Sequence, residues 1–127
     1  MVRPAKEMTE RELEVMHVYW EYGELTASEA RDQLAETGID RAYPTVANLV
    51  RILVDKGYLK AVNDQRPYQY APCRSFDEVS TGFVGDLLQR VFQGSREQML
   101  VHLFGRRKRL TPEERKFLQS ILNEEQE

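Results

Sequence analysis

Cysteine occurs once, at Cys73, so no internal disulfide can form and no thiolate cluster exists to hold zinc or copper. Only Arg74 stands beside that thiol to activate it, and a partly buried, unreactive side chain is expected. Histidine is nearly as scarce: His17 and His102 stand apart, each without a second ligand at zinc spacing. No metal or cofactor is expected. Long apolar runs are missing too. Stretches such as Met99–Val101 fall far short of the roughly 20 residues that a membrane span needs, and the first residues lack the apolar core of a signal peptide. A cytoplasmic location is the expectation. Positive charge is in deficit, with 18 Lys and Arg against 21 Asp and Glu in 127 residues. That balance argues against a general electrostatic grip on nucleic acid, which depends on neutralising phosphates. Nucleophile elbow, phosphate loop and metal-ligand motif are all lacking, so an enzyme is not expected. The length excludes two enzyme-sized domains.

What is present is unevenly placed. Between Arg41 and Arg66 the basic residues are Arg41, Arg51, Lys56, Lys60 and Arg66, against Asp55 and Asp64 alone. The acids gather at Glu7 to Glu36 and in the closing Glu124, Glu125 and Glu127. A basic stripe on an acidic body still steers one face toward a polyanion.

Helix starts are well signed. A Ser or Thr followed three residues later by Glu or Gln occurs at Thr9/Glu12, Thr26/Glu29, Ser75/Glu78, Ser95/Gln98 and Thr111/Glu114, the pattern that satisfies orphan amides at a helix N-terminus. The first predicted helix carries Leu13, Met16 and Trp20 on one stripe and ends near Gly23. The second turns Ala30 and Leu34 inward and stops at Gly38, and Glu24 and Leu25 suit a short strand before it. A third enters through Pro44, whose fixed φ suits the first turn, and buries Val46, Leu49, Val50 and Leu53 before Gly57. Tyr58–Val62 and Tyr68–Tyr70 then read as two strands around a polar turn, a wing.

Pro72 marks the expected boundary, giving a domain over 1–72 and a helical region over 73–127. Beyond it come three predicted helices. The first carries Phe83, Val84, Leu87, Leu88, Val91 and Phe92, the second Met99, Leu100, Leu103 and Phe104, and the third Phe117, Leu118, Ile121 and Leu122. Three short helices cannot enclose so many large apolar groups. A second copy of the chain is the economical cover, since a two-fold interface lets one patch serve both sides.

Three helices followed by a hairpin form the winged variant of the helix-turn-helix. The overall expectation is a mainly α fold with a small β wing, an N-terminal winged helix-turn-helix and a C-terminal helical dimerisation region. On the third helix Thr45, Asn48, Arg51 and Asp55 face away from the apolar stripe. That face suits a major groove, where base edges show distinct donor and acceptor patterns. Asn48 suits adenine, Thr45 a base edge or a thymine methyl, and Arg51 guanine or phosphate. Tyr43, Pro44 and the first turn are placed to meet phosphate, as is Ser28 at the start of the second helix. Gln65 and Arg66 lie at the wing tip, and Lys56 and Lys60 flank the reading helix. Double-stranded DNA is thus one partner class, and a protein-only adaptor is the alternative, since a polar helix face also serves simply as a solvated one. The run Arg106–Arg109 suits DNA, an acidic partner or the negative end of the helix before it, and the last of these is the favoured reading.

Taken together, several segments resemble the penicillinase-repressor family of bacteria, which includes the methicillin-resistance repressors and, as a cousin branch, copper-responsive repressors. The likeness rests on Thr9-Glu10-Arg11-Glu12-Leu13-Glu14-Val15-Met16 with Trp20, and on Ala42-Tyr43-Pro44-Thr45-Val46 with Leu49 and Leu53. It continues through Asp55-Lys56-Gly57-Tyr58-Leu59, Arg90-Val91-Phe92-Gln93-Gly94-Ser95 and Leu110-Thr111-Pro112-Glu113-Glu114 with Leu118 and Leu122. The resemblance implies a homodimer with interlocked C-terminal helices, gripping a palindromic operator and blocking transcription. In the antibiotic-responsive members it also implies a membrane-bound metallopeptidase sensor that triggers cleavage between Asn and Phe in the second dimerisation helix. The corresponding bond here is Leu103–Phe104, with Leu103 standing where the family has Asn. The copper branch ends in metal-binding cysteines, which this chain lacks.

Overall fold

The computed structural model describes residues 8–105 and 109–125. Five hydroxyl caps open the helices as the spacing predicts. Thr9 Oγ1 accepts from the Glu12 amide, Thr26 Oγ1 from Glu29, Ser75 Oγ from Glu78, Ser95 Oγ from Gln98 and Thr111 Oγ1 from Glu114. At Thr26 and Thr111 the glutamate also returns its carboxylate to the cap's own amide, closing the box. The element order is α1 (Glu10–Tyr22), β1 (Leu25–Thr26), α2 (Ala27–Glu36), α3 (Tyr43–Asp55), β2 (Leu59–Ala61), β3 (Gln69–Pro72), α4 (Phe76–Arg90), α5 (Arg96–Phe104) and α6 (Pro112–Glu125). The fold is mainly helical with a three-stranded antiparallel sheet in the order β1-β3-β2.

The core lies where α1, α2 and α3 meet. Val15, Met16 and Tyr19 come from α1, Ala30 and Leu34 from α2, and Val46, Val50 and Leu53 from α3, with Tyr58 and Leu59 closing the base. Each fully buried leucine among them contributes about 2 kcal/mol. The inward stripe of α1 is rotated from the expected Leu13–Met16–Trp20 line: Leu13 and Trp20 are only partly buried, on its flank. The reason is Tyr19, whose ring fills the centre and whose hydroxyl donates to the Leu25 carbonyl at 3.2 Å. Burial pushes that phenol's pKa upward, so it stays a donor at any physiological pH. The bond fixes β1, which pairs Leu25 with Tyr70 and Thr26 with Gln69 of β3. The hairpin is thereby attached to the foot of α2. At the end of α3, Gly57 takes φ +84°, a left-handed turn that a side chain rarely adopts, and the chain reverses into Tyr58 and β2.

The chain divides into two compact units, Met1–Gly85 and Asp86–Glu127. The division falls inside α4, beyond the boundary expected at Pro72. The first turns of α4 belong with the N-terminal unit because Val79 is buried in its core and Phe83 packs against it. Trp20 Nε1 also donates to the Arg74 carbonyl at 2.9 Å, and its ring meets Phe76 edge-on at 5.4 Å. Cys73, expected partly buried, is exposed. In the second unit α4 ends, α5 and α6 follow, and Phe92 meets His102 edge-on at 5.0 Å. Among the described residues, none after Val79 is buried. No helix among the described residues is long and apolar enough to cross a membrane.

Candidate nucleic-acid interface

The third helix is amphipathic in the expected sense. Val46, Leu49, Val50 and Leu53 are buried while Asn48, Arg51 and Asp55 are exposed and Thr45 is half-buried. Its N-terminus is distinctive among the helix starts. Ala42 occupies the cap position with no side-chain hydrogen bond, and Pro44 sits in the first turn. Pro44 brings no amide and the Thr45 amide donates to the Ala42 carbonyl at 3.1 Å, so the positive end of the helix dipole, with no acidic side chain in the first turn, is what attracts an anion here. Tyr43, about half exposed, stands at this end.

An open groove of about 620 Å³ runs between α3, the start of α2 and the wing. Ser28 of α2 lines it, with Tyr43 and Arg51 of α3, and with Arg66, Pro67 and Tyr68 of the wing. Of the sequence-expected residues, the fold therefore gathers Ser28, Tyr43, Arg51 and Arg66 around one space, with Asn48 one turn from Arg51 on the exposed face. Gln65 lies at the exposed wing tip beside them in sequence but does not line the groove. Tyr68 is a residue that the sequence reading passed over as an ordinary strand position. The Arg66 guanidinium lies 5.8 Å from the centre of its ring, a cation–π contact that steadies an exposed arginine. Asn63 braces the turn: its Nδ2 donates to the carbonyls of Gln65 and Pro67 at 3.1 and 3.2 Å, and its Oδ1 accepts from the Gln69 amide at 2.8 Å.

Lys56, expected to flank the reading helix, pairs with an acid of α1. Its Nζ lies 2.7 Å from Glu12 Oε1 and 3.3 Å from Oε2, and Glu12 is only 3% exposed. A buried carboxylate needs its countercharge, and this lysine supplies it. Burial pushes the Glu12 carboxyl up, but hydrogen bonds from Lys56 and Thr9 and the lysine charge outweigh it and hold the pKa below the ordinary glutamate value. Arg41 is similarly committed, its guanidinium forking onto Glu14 at 3.0 to 3.2 Å. Two cations of the basic stripe thus neutralise acids of α1, while Arg51, Lys60 and Arg66 are exposed. The basic run Arg106–Arg109 falls, but for Arg109, outside the described residues.

Half of the sequence-expected dimerisation residues are exposed and the rest are half-buried. Leu87, Val91, Leu100, Leu103, Ile121 and Leu122 are 41 to 67% exposed, while Leu88, Phe92, Met99, Phe104 and Leu118 are half-buried. Phe83 departs from them, since it packs against the core of the first unit. The Leu103–Phe104 bond lies in the last turn of α5.

Two comparisons bear on these features. A solved structure, the complex structure of hsRosR-SG, superposes with a TM-score of 0.56 at 18% identity, covering 97% of this chain and 96% of that one. The two chains share the winged-helix fold. Among curated proteins nothing matches. The family model for the penicillinase repressor matches residues 8–124, nearly the whole length, and the chain belongs to that family of transcriptional regulators.

Proposed function

We propose that this protein is a sequence-specific repressor that holds a palindromic operator as a homodimer. The observation that carries the reading is the groove between α3 and the wing, lined by Arg51 of α3 and by Arg66 and Tyr68 of the wing. α3 enters the major groove with Thr45, Asn48 and Arg51 toward the base edges. Tyr43, Ser28 and the uncapped start of α3 take the flanking phosphates, and Gln65 and Arg66 of the wing hold the neighbouring backbone.

The exposed apolar residues of α4, α5 and α6 support the dimer, since a lone chain leaves them in water. Dimerisation spaces the two reading helices on successive turns of the duplex, which accounts for a palindromic site. A signal that parts the tails, by proteolysis through a membrane-bound metallopeptidase sensor or by another step, releases the operator in this reading.

The test is a gel shift of the full chain with duplex from its own promoter region across a salt series. Binding that weakens steeply with salt, as for several phosphate contacts, is expected. Unchanged mobility at micromolar protein and low salt refutes the reading, and affinity without salt dependence favours the protein-only adaptor.

A further inference from the structure

The exposed face of α3 carries a contact that spacing alone does not disclose. Arg51 Nη2 donates to Asn48 Oδ1 at 2.6 Å, from one turn to the next along the helix. A guanidinium has only N–H groups to offer, so the amide oxygen of Asn48, not its NH₂, must face it. The bidentate contact between asparagine and adenine uses that same oxygen to accept from the adenine amino group while the NH₂ donates to N7. While the pair holds, Asn48 Oδ1 is drawn toward Arg51 and one of its two lone pairs is engaged. Arg51 spends one of its five donors on Asn48 and keeps enough for a bidentate contact, which takes two.

We propose that Asn48 and Arg51 form one reading unit, in which Asn48 is a positioning residue that aims Arg51 at guanine. The inference rests on the operator-binding reading above. Guanine presents two acceptors and no donor in the major groove, which matches the all-donor fork of Arg51, whereas adenine pairs one acceptor with an amino group that an arginine cannot satisfy. The local hydrogen bond also restrains a long side chain before binding, which lowers the ordering cost of the contact.

The experiment is selection of bound sequences from a random duplex pool with the full-length wild-type chain, Arg51→Ala, Asn48→Ala and Asn48→Asp. The wild type is expected to enrich guanine at one base pair of each half-site. Arg51→Ala and Asn48→Ala are both expected to relax that same base pair, by about tenfold in preference. Asn48→Asp keeps an acceptor for Arg51, so it retains the guanine preference even though its added negative charge weakens binding to every sequence. If Asn48→Ala instead relaxes an adenine at a different base pair from the one governed by Arg51, the two residues read independently and the unit is refuted while operator binding stands. A wild-type pool with no enriched sequence overturns the operator reading, and this inference with it.

Discussion

Removing the Lys56 ammonium separates a structural lysine from a DNA-contacting one, because the two roles give opposite results. The pair joins Nζ to Glu12 Oε1 at 2.7 Å, with the lysine side chain 21% and the glutamate side chain 4% exposed. Taking one partner from a buried pair costs about 3 to 5 kcal/mol, because the survivor keeps its charge without its counterion. Two features place Lys56→Ala at the lower end, about 3 kcal/mol: the lysine retains some water contact, and Thr9 Oγ1 still donates to Glu12 at 2.9 Å. Urea unfolding of the full chain measures this as a lower midpoint at unchanged slope.

The pH dependence carries a second signature. In the wild type the Glu12 pKa is depressed in the fold, so its contribution is present above the ordinary value of 4.5 and is lost as the pH falls below it. In Lys56→Ala the burial effect is no longer opposed by the lysine, so protonating Glu12 relieves the fold and stability rises on acidification through the carboxylate range. Replacing both residues, as Glu12→Gln with Lys56→Ala, is expected to recover much of the loss. A Lys56→Ala chain as stable as the wild type, whose salt slope for DNA falls by about one contact, would refute this reasoning and restore Lys56 to the interface.

Asn63→Ala removes the brace of the wing turn, so amide exchange is expected to quicken at Gln69 and operator affinity to fall several-fold while global unfolding moves by less than about 1 kcal/mol. Leu53→Ala empties a wholly buried position at the end of α3 and is expected to cost about 2 to 5 kcal/mol by urea unfolding; a loss under about 1 kcal/mol contradicts the core described above. Leu103→Asp and Leu87→Asp, at exposed apolar positions, are expected to convert a two-chain mass in sedimentation to a one-chain mass without lowering helix content. A wild-type mass equal to one chain removes the basis for the dimer.

The helix starts and the buried stripe of α3 were legible because they rest on local rules: caps act over three residues and an amphipathic stripe over one turn. What the sequence concealed depends on distance along the chain. Glu12 and Lys56 are 44 positions apart, and Glu12 reads as the ordinary fourth residue of a capping box until the fold folds it inward. Its neighbour Glu14 captures Arg41 across 27 positions in the same way. Pro72 is a true punctuation, the last residue of β3, but a stripe of apolar side chains does not declare which surface will cover it. Val79 and Phe83 went to the first core, whereas Val84 and Leu87 on the same helix did not. Tyr68 escaped notice because an aromatic in a strand usually serves packing, and only the arginine beside it gives it a second use.

The indole of Trp20 has a practical consequence. It is the sole tryptophan of the chain, and it is fastened by its ring nitrogen to the backbone just ahead of α4. Emission excited selectively in the indole band therefore originates at a single joint, where α1 meets the segment leading into α4. Any event that loosens that joint registers as a change in colour or intensity, giving a built-in optical gauge of the contact between α1 and the start of α4.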